Sequence, residues 1–227
     1  MEVGDPCSYR EAIEVDDSDR WITAIDQEME SLKRNHTCDL VTLPRGSRAI
    51  GCKWIFRKKD CEQYKVRLVA KWYAQREGIV YNEIFSPVVK HTSIRFLLAI
   101  VSLYDLELEH MNVKITFLHG ELEEEIYMKQ PEGFIREGDE GKVCLLKKSL
   151  YGLKQSPRQW YKRFDSFMIK ANFTRCEYDS CVYYKLAKGP TYLLLYVDDT
   201  LIAAKDKAHI GEIKSQLKLE FDMKDLG

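Results

Sequence analysis

The pattern of apolar and polar positions along the chain predicts four longer helices, one of them clearly amphipathic and one strongly apolar. The clearest case is Trp21, Ile25, Met29 and Leu32, which predicts a helix over residues 18–35. A Ser-x-x-Glu spacing at Ser8 predicts a short capped helix before it. The other predicted helices run from a cap at Thr92 or Ser93 to about Tyr104, from a Ser156 cap with Pro157 at the first position, and from Lys207 to Phe221.

Alternating or short continuous apolar stretches predict strands, most of them joined as hairpins. The predicted strands are Cys52 to Arg57, Tyr64 to Tyr73, Leu106 to Val113, Ile126 to Met128, Val143 to Leu146, Cys181 to Tyr184, Thr191 to Val197, and Thr200 to Ala204. Strands joined as hairpins and interspersed with helices indicate an α+β fold with antiparallel sheets.

Composition narrows the class of protein. The chain has 227 residues, of which 45% are hydrophobic and 31% charged, so it can bury a core without disulfides. Its longest apolar stretch is far shorter than the ~18 residues that span a membrane, and no secretory signal opens it. The 7 cysteines form no C-x-x-C pair, which disfavours a zinc site and indicates reduced thiols in a cytoplasmic or nuclear, not a secreted, protein.

A formal net charge of −1 conceals strong charge patterning. Residues 1–30 carry ten acidic and two basic side chains. Residues 53–71 carry seven basic and two acidic ones, and residues 147–163 carry six basic ones and no acidic one. The two basic segments are consistent with a path for a polyanion, or with two solvated faces.

The chain's most informative segment places two adjacent carboxylates, Asp198 and Asp199, between two apolar strands. Such a pair projects from a tight turn, and its like charges repel unless a cation lies between them. Carboxylate oxygens suit Mg²⁺, and carboxylate pairs hold the two metals of phosphoryl-transfer sites. The alternative is a surface turn that uses Asp for its turn geometry.

Several blocks of sequence resemble the reverse transcriptase domain of copia-type retrotransposon Pol polyproteins, from about Ser8 to Gly227. These blocks are Tyr196-Val197-Asp198-Asp199, Leu150 to Arg158, Lys65 to Ala70, Phe85 to Val89, and Val113 to Gly120. The resemblance implies the fingers and palm of a right-hand polymerase, with an antiparallel palm sheet packed on helices. It implies an N-terminal helical lead-in at residues 1–47 and a reverse transcriptase domain at 48–227, with fingers at about 48–105 and palm at about 106–227. It also leads us to expect that the chain is a fragment whose thumb is missing.

The resemblance also implies roles for individual residues. Asp198 and Asp199 match catalytic, metal-binding carboxylates, and the backbone of Val113 matches a further metal ligand. Lys65, Arg67, Phe117 and Gln155 match nucleotide-binding positions, although Arg67 also fits a solvated base, Phe117 a core residue and Gln155 a turn residue. The residues expected to contact nucleic acid are Tyr196, Lys58, Lys59, Lys71, Lys154 and Arg158. Mg²⁺, a template–primer and a deoxynucleotide are the implied cofactor and partners, with no membrane partner.

One departure from the family's pattern bears directly on activity. Asn112 stands where the family has the first metal-binding Asp, and an amide offers one carbonyl oxygen and an NH₂ group that repels a cation. We therefore expect weakened Mg²⁺ binding and a catalytically impaired polymerase. The alternatives are an active reverse transcriptase, a non-catalytic nucleic-acid-binding module, and a scaffold protein without a nucleic-acid role.

Further departures point the same way. They are Trp72 for Gly, Ile115 and Thr116 for Thr-Ala, Cys38 for Trp, and Val80 for Asp.

Overall fold

The computed structural model describes residues 4–59, 63–71, 85–187 and 189–227, which fall into two compact units. Unit 1 comprises Met1–Ile84 and Gly120–Gln159, and unit 2 comprises Phe85–His119 and Trp160–Gly227. Both units are discontinuous in sequence, whereas the expected fingers and palm are continuous stretches. The assignment of fingers and palm therefore remains a prediction. The departures at Trp72 and Val80 lie outside the described residues, as do Cys61 and the expected end of the strand at Tyr73.

Two helices open unit 1, as the sequence pattern predicts. Helix α1 (Tyr9–Glu14) begins where the Ser8 hydroxyl accepts a hydrogen bond from the Glu11 backbone N–H at 3.2 Å. Helix α2 (Ser18–Arg34) buries Trp21, Ile25 and Leu32 and packs against a strand of the unit. The capping pattern and the apolar spacing are both confirmed.

The described residues of unit 1 form two antiparallel sheets. One has the order β1-β6-β5 and is made of β1 (Cys38–Thr42), β5 (Glu121–Lys129) and β6 (Lys142–Lys148). The other is a hairpin of β2 (Cys52–Lys59) and β3 (Gln63–Ala70), whose inner face is buried. The sequence pattern did not predict β1. Its residues do not alternate between buried and exposed positions, so the strand lacks the usual signal of a half-buried strand.

Unit 2 is built around one six-stranded antiparallel sheet with the order β11-β4-β10-β9-β8-β7. Its strands are β4 (Glu107–Val113), β7 (Thr174–Arg175), β8 (Val182–Lys185), β9 (Thr191–Tyr196), β10 (Asp199–Ala204) and β11 (Met223–Asp225). Its helices are α3 (His91–Tyr104), α4 (Ser156–Lys170), whose first four residues belong to unit 1, α5 (Lys207–Glu220), and a short 3₁₀ helix at Thr116–His119.

The core of unit 2 lies between this sheet and its helices. Phe164 of α4, Tyr183 of β8 and Ile202 of β10 are fully buried and belong to one apolar cluster. The predicted apolar stripe of α4 is confirmed, with Trp160, Phe164 and Met168 buried. The expectation of an α+β fold with antiparallel sheets packed on helices is therefore correct.

Two predicted helix caps are wrong. Helix α3 begins at His91 after Lys90, and the hydroxyl of Ser93 donates to Asp179 at 2.6 Å instead of capping the helix. The same carboxylate accepts the Lys90 N–H at 2.9 Å. At α4, the Ser156 hydroxyl donates to the Leu150 carbonyl at 2.7 Å. Both serines were predicted to accept from N–H groups of their own helix, but each hydroxyl donates instead, Ser93 to a residue 86 positions away and Ser156 to the turn that precedes its helix.

Across the described ranges of the chain, no helix is both long and apolar enough to cross a lipid bilayer.

Candidate active site

Two adjacent carboxylates lie at the tip of a tight hairpin in unit 2. Tyr196 pairs with Asp199 across β9 and β10, which leaves Val197 and Asp198 as the two residues of the turn. Val197 has φ of 58°, a left-handed conformation that a β-branched side chain rarely adopts. The surrounding structure must therefore hold this turn in place.

Two hydrogen bonds hold the turn. The indole Nε1 of Trp160 donates to the Val197 carbonyl at 2.7 Å, and the Val113 N–H donates to the Asp198 carbonyl at 2.7 Å. Trp160 itself is buried, with 2% of its surface exposed. Because the anchors come from α4 and from β4, the carboxylates stand on a fixed backbone.

Strand β4 brings residue 112 to the same place. Asn112 lies opposite Asp199 in the β4–β10 register. Its amide Nδ2 donates to Asp198 Oδ2 at 3.2 Å and to Asp199 Oδ1 at 3.0 Å. This orientation of the amide is the favourable one, since its oxygen in the same position would face two carboxylate oxygens. Residue 112 and both aspartates therefore meet at one place in unit 2.

A histidine that sequence reasoning missed completes the cluster. His110 Nε2 lies 2.8 Å from Asp199 Oδ1, the same oxygen that accepts the Asn112 amide. The signal was available, because residues two apart on a strand share a face. The spacing of His110 and Asn112 does not point to the site unless β4 is known to pair with β10.

Together these residues make a poor site for two divalent cations. Two carboxylates remain where the resemblance implies three, and the Asn112 amide donates to one oxygen of each. The Val113 carbonyl, an expected ligand, accepts the Thr116 hydroxyl at 3.0 Å. Within the described part of the chain, no group of three or more His, Cys, Asp or Glu side chains is arranged to hold a metal. The residues present therefore do not fit a two-metal centre.

Two further expected site residues belong to unit 2. Tyr196 ends β9 next to the turn and is 42% exposed. Phe117 lies in the 3₁₀ helix after β4 and packs, partly buried, against the core. Its observed contacts match the alternative that it is a core residue, and its nucleotide role remains a prediction.

The expected nucleotide-binding arginine belongs to unit 1 and has an internal partner. Arg67 NH1 donates to Glu28 Oε2 of α2 at 2.9 Å, and its guanidinium lies 5.4 Å from the centre of the Tyr151 ring. Glu28 also accepts the Leu68 N–H at 3.3 Å. Burial raises the pKa of Glu28 despite these donors. Arg67 thus stabilises the packing of α2 on β3, and Lys65 lies exposed on the same strand.

The acidic N-terminal segment contacts the end of the basic hairpin. Asp5 Oδ1 accepts the Lys58 backbone N–H at 2.9 Å, and the Lys58 ammonium lies 3.6 Å from Asp17 Oδ2 and over the Tyr64 ring. The hydrogen bond from the Tyr64 hydroxyl, at 2.6 Å, lowers the pKa of Asp17. Lys59, the last residue of β2, is exposed.

The remaining expected residues also lie in unit 1. Gln155 is fully buried, and its carbonyl accepts the Gln159 N–H at 3.0 Å. This is the first hydrogen bond of helix α4, so Gln155 has a structural role at the start of that helix. Lys154 and Arg158 flank it and are half-buried, and Lys71 follows β3. The proposed nucleotide and nucleic-acid roles of these side chains remain predictions.

Comparison with known proteins identifies the lineage. Residues 35–227 match the family model described as reverse transcriptase (RNA-dependent DNA polymerase). The chain is 51% identical to the retrovirus-related Pol polyprotein from transposon TNT 1-94 of Nicotiana tabacum over 98% of its own length, but spans 17% of that relative. It is 39% identical to the Pol polyprotein from transposon RE1 of Arabidopsis thaliana, over 95% of the chain and 15% of the relative.

A solved structure is also similar in part. It is a foamy viral protease-reverse transcriptase in complex with double-stranded DNA, at 11% identity and a TM-score of 0.43, covering 88% of this chain and 29% of that one. The family model and the two plant relatives carry the assignment. The chain belongs to the reverse transcriptase (RNA-dependent DNA polymerase) family of copia-type transposon Pol polyproteins.

Proposed function

We propose that this chain is a reverse transcriptase domain whose polymerase activity is impaired by Asn112. The observation that carries the proposal is the pair of hydrogen bonds from the Asn112 amide to Asp198 and Asp199. Polymerases of this family depend on divalent metals, and those metals need the carboxylate oxygens that the amide now engages.

Charge explains the size of the expected defect. An Asp at position 112 adds a third negative charge where two cations must sit ~3.5–4 Å apart. An Asn removes that charge and points N–H dipoles at the site. Metal stabilisation of the transition state is worth several kcal/mol, so its loss lowers the rate by roughly a thousandfold or more.

The test compares the natural chain with Asn112→Asp, which changes charge and leaves the size of the side chain almost unchanged. Terbium luminescence measures cation binding directly, and extension of a primed template with Mg²⁺ or Mn²⁺ measures activity. We expect cation binding to strengthen at least tenfold in Asn112→Asp, and elongation to be seen in that variant rather than in the natural chain.

A matched control separates the role of residue 112 from a general gain of negative charge. Asp199→Asn in the Asn112→Asp background restores the total charge but removes another carboxylate, and should lose the gain. Elongation by the natural chain within tenfold of Asn112→Asp would overturn the proposal. Stronger cation binding without elongation would assign the remaining defect to other positions.

A second candidate function is binding of nucleic acid without catalysis, which the basic hairpin favours. Arg57, Lys59 and Lys65 of β2 and β3 are exposed on one hairpin. A template–primer duplex is the partner expected from the family, and its binding must weaken as salt rises, because phosphate contacts release counterions. Fluorescence anisotropy with a labelled primed template between 50 and 300 mM salt tests this, and salt-independent or absent binding contradicts it.

A further inference from the structure

A pair of cysteines in unit 1 lies apart from the candidate active site. Cys38 is the first residue of β1 and Cys144 lies in the middle of β6. In the β1–β6 register Cys38 pairs with Leu146 and Leu40 pairs with Cys144. The two cysteines are therefore diagonal neighbours on one face of the sheet.

Their side chains meet at a small cavity. Cys38 and Cys144 both line a cavity of about 80 Å³, together with Met29 and Leu32 of α2. Cys144 is 4% exposed, whereas Cys38 is half-buried. A small oxidant can thus reach Cys38, with Cys144 directly behind it.

The two thiols differ in their accessibility to an oxidant, because Cys38 is half-buried and Cys144 is 4% exposed. The neighbouring Cys144 thiol lowers the pKa of Cys38, and Cys38 and burial raise the pKa of Cys144. Cys38 is therefore the attacking group and Cys144 the resolving one.

We propose that Cys38 and Cys144 form a reversible disulfide when the protein meets a peroxide. The Cys38 thiolate attacks one peroxide oxygen, the O–O bond breaks, and Cys38 becomes a sulfenic acid as hydroxide leaves and takes a proton to form water. The Cys144 sulfur then attacks the Cys38 sulfur, the S–O bond breaks, and a second water leaves with the Cys144 proton. Two thiols are oxidised and one peroxide is reduced to two waters.

The bond would join β1 to β6 across a long loop. Diagonal positions lie ~7–8 Å apart at their Cα atoms, beyond the usual span of a disulfide, so the bond requires a local shift of the strands and should be strained and readily reduced. Even so, a cross-link that closes a loop of this length restricts the unfolded chain. We expect Tm to rise by about 5–10 °C on oxidation and to return on addition of dithiothreitol.

Peptide mapping of the peroxide-treated full chain without reductant tests the proposal. A cross-linked peptide pair containing Cys38 and Cys144 is expected, and dithiothreitol should separate it. Cys38→Ser and Cys144→Ser should each abolish both this product and the shift in Tm. Cys52→Ser is the matched control, because Cys52 lies close by, donates to the Lys129 carbonyl at 3.4 Å, and has its pKa raised by burial to about 11.

The map of the natural chain decides the question even where a variant folds poorly. Recovery of Cys38 and Cys144 as separate alkylated thiols after peroxide treatment, with the exposed Cys7 oxidised, would overturn the proposal. So would a Cys38 that stops at sulfinic acid, or a Tm shift that survives in a folded Cys38→Ser.

Discussion

The two units each contain a charged hairpin, and the two hairpins differ in the side chains that pair with their charged residues. The acidic hairpin β9–β10 presents Asp198 and Asp199, and the basic hairpin β2–β3 presents Lys58 and Arg67. The family resemblance directs both sets of charges towards metals, nucleotides or nucleic acid. In the structure, side chains of the same chain already form hydrogen bonds or ion pairs with these charged residues.

The difference between the hairpins lies in how firmly those partners are held. Strands β9 and β10 lie in the middle of a six-stranded sheet, and strand register fixes Asn112 and His110 beside the acids. Among the residues that the structure describes, strands β2 and β3 form a sheet of two strands, and the Lys58–Asp17 pair is solvent-exposed enough to be weakened by salt. A single substitution should therefore decide what the acidic hairpin binds. Removing one contact at the end of the basic hairpin should change its binding of nucleic acid only slightly.

The largest expected effect comes from the anchor of the acidic turn. Trp160→Ala removes a buried indole and its hydrogen bond to Val197, and should lower the free energy of unfolding by about 3–5 kcal/mol. Urea denaturation followed by circular dichroism measures this. Trp160→Phe keeps most of the ring and should lose about 1–3 kcal/mol, the cost of leaving the carbonyl unpaired. No loss in Trp160→Phe would show that the hydrogen bond is immaterial, and equal losses in the two variants would show that packing of the ring is.

The next effect concerns the support of the basic hairpin. Gly152 has φ of 87°, and a Cβ there would collide with the Ala70 carbonyl and the Val69 side chain. Gly152→Ala should therefore cost about 2–4 kcal/mol in urea denaturation. Gly46 has a similar φ of 84° and open space around it, so Gly46→Ala should cost about 1 kcal/mol. A loss at position 152 no larger than at 46 would contradict the close approach.

A smaller, pH-dependent effect concerns the edge strand beside Asn112. Asp225 of β11 pairs with Lys214 at 2.5 Å and Lys218 at 3.0 Å, and these bonds lower its pKa to about 2. A lowered pKa means that the carboxylate stabilises the fold above its unfolded pKa of about 4. That contribution should disappear as pH falls from about 4 to about 2.

Urea denaturation between pH 2 and 6 measures this, with Asp225→Asn as the comparison. The natural chain should be the more stable of the two above pH 4, and the difference should close near pH 2. A difference that stays constant over this range would show that ionisation of Asp225 is not its source.

The smallest expected effect is on nucleic-acid binding by the basic hairpin. Asp17→Asn weakens the hold on Lys58 and should tighten binding of a primed template by about two- to threefold at 50 mM salt, with no effect at 300 mM. Glu14→Gln is the matched control, because Glu14 pairs with Arg10 of its own helix. An equal gain in affinity in both variants would show that the change in net charge, and not the release of Lys58, causes the effect.

The sequence by itself predicted most local structure and the identity of the key substitution. Helix α2, the capping of α1 and the hairpin with Asp198 and Asp199 at its tip follow from spacing between neighbouring residues, which the backbone geometry of helices and strands dictates. The family resemblance alone identifies Asn112 as the key departure. Strands β1 and β11 were missed because short strands at a sheet edge carry little alternation.

The contacts between residues far apart in sequence could not be predicted from local pattern. His110 is 89 residues from Asp199, Arg67 is 39 from Glu28, and Ser93 is 86 from Asp179. The Cys38–Cys144 contact likewise depends on the register of β1 against β6. Such meetings are set by strand register and helix packing, and a shift of one residue in register would turn these side chains to the opposite face of the sheet. The local pattern of residues therefore specifies the helices and strands, and the long-range pairing of those elements specifies which side chains come into contact.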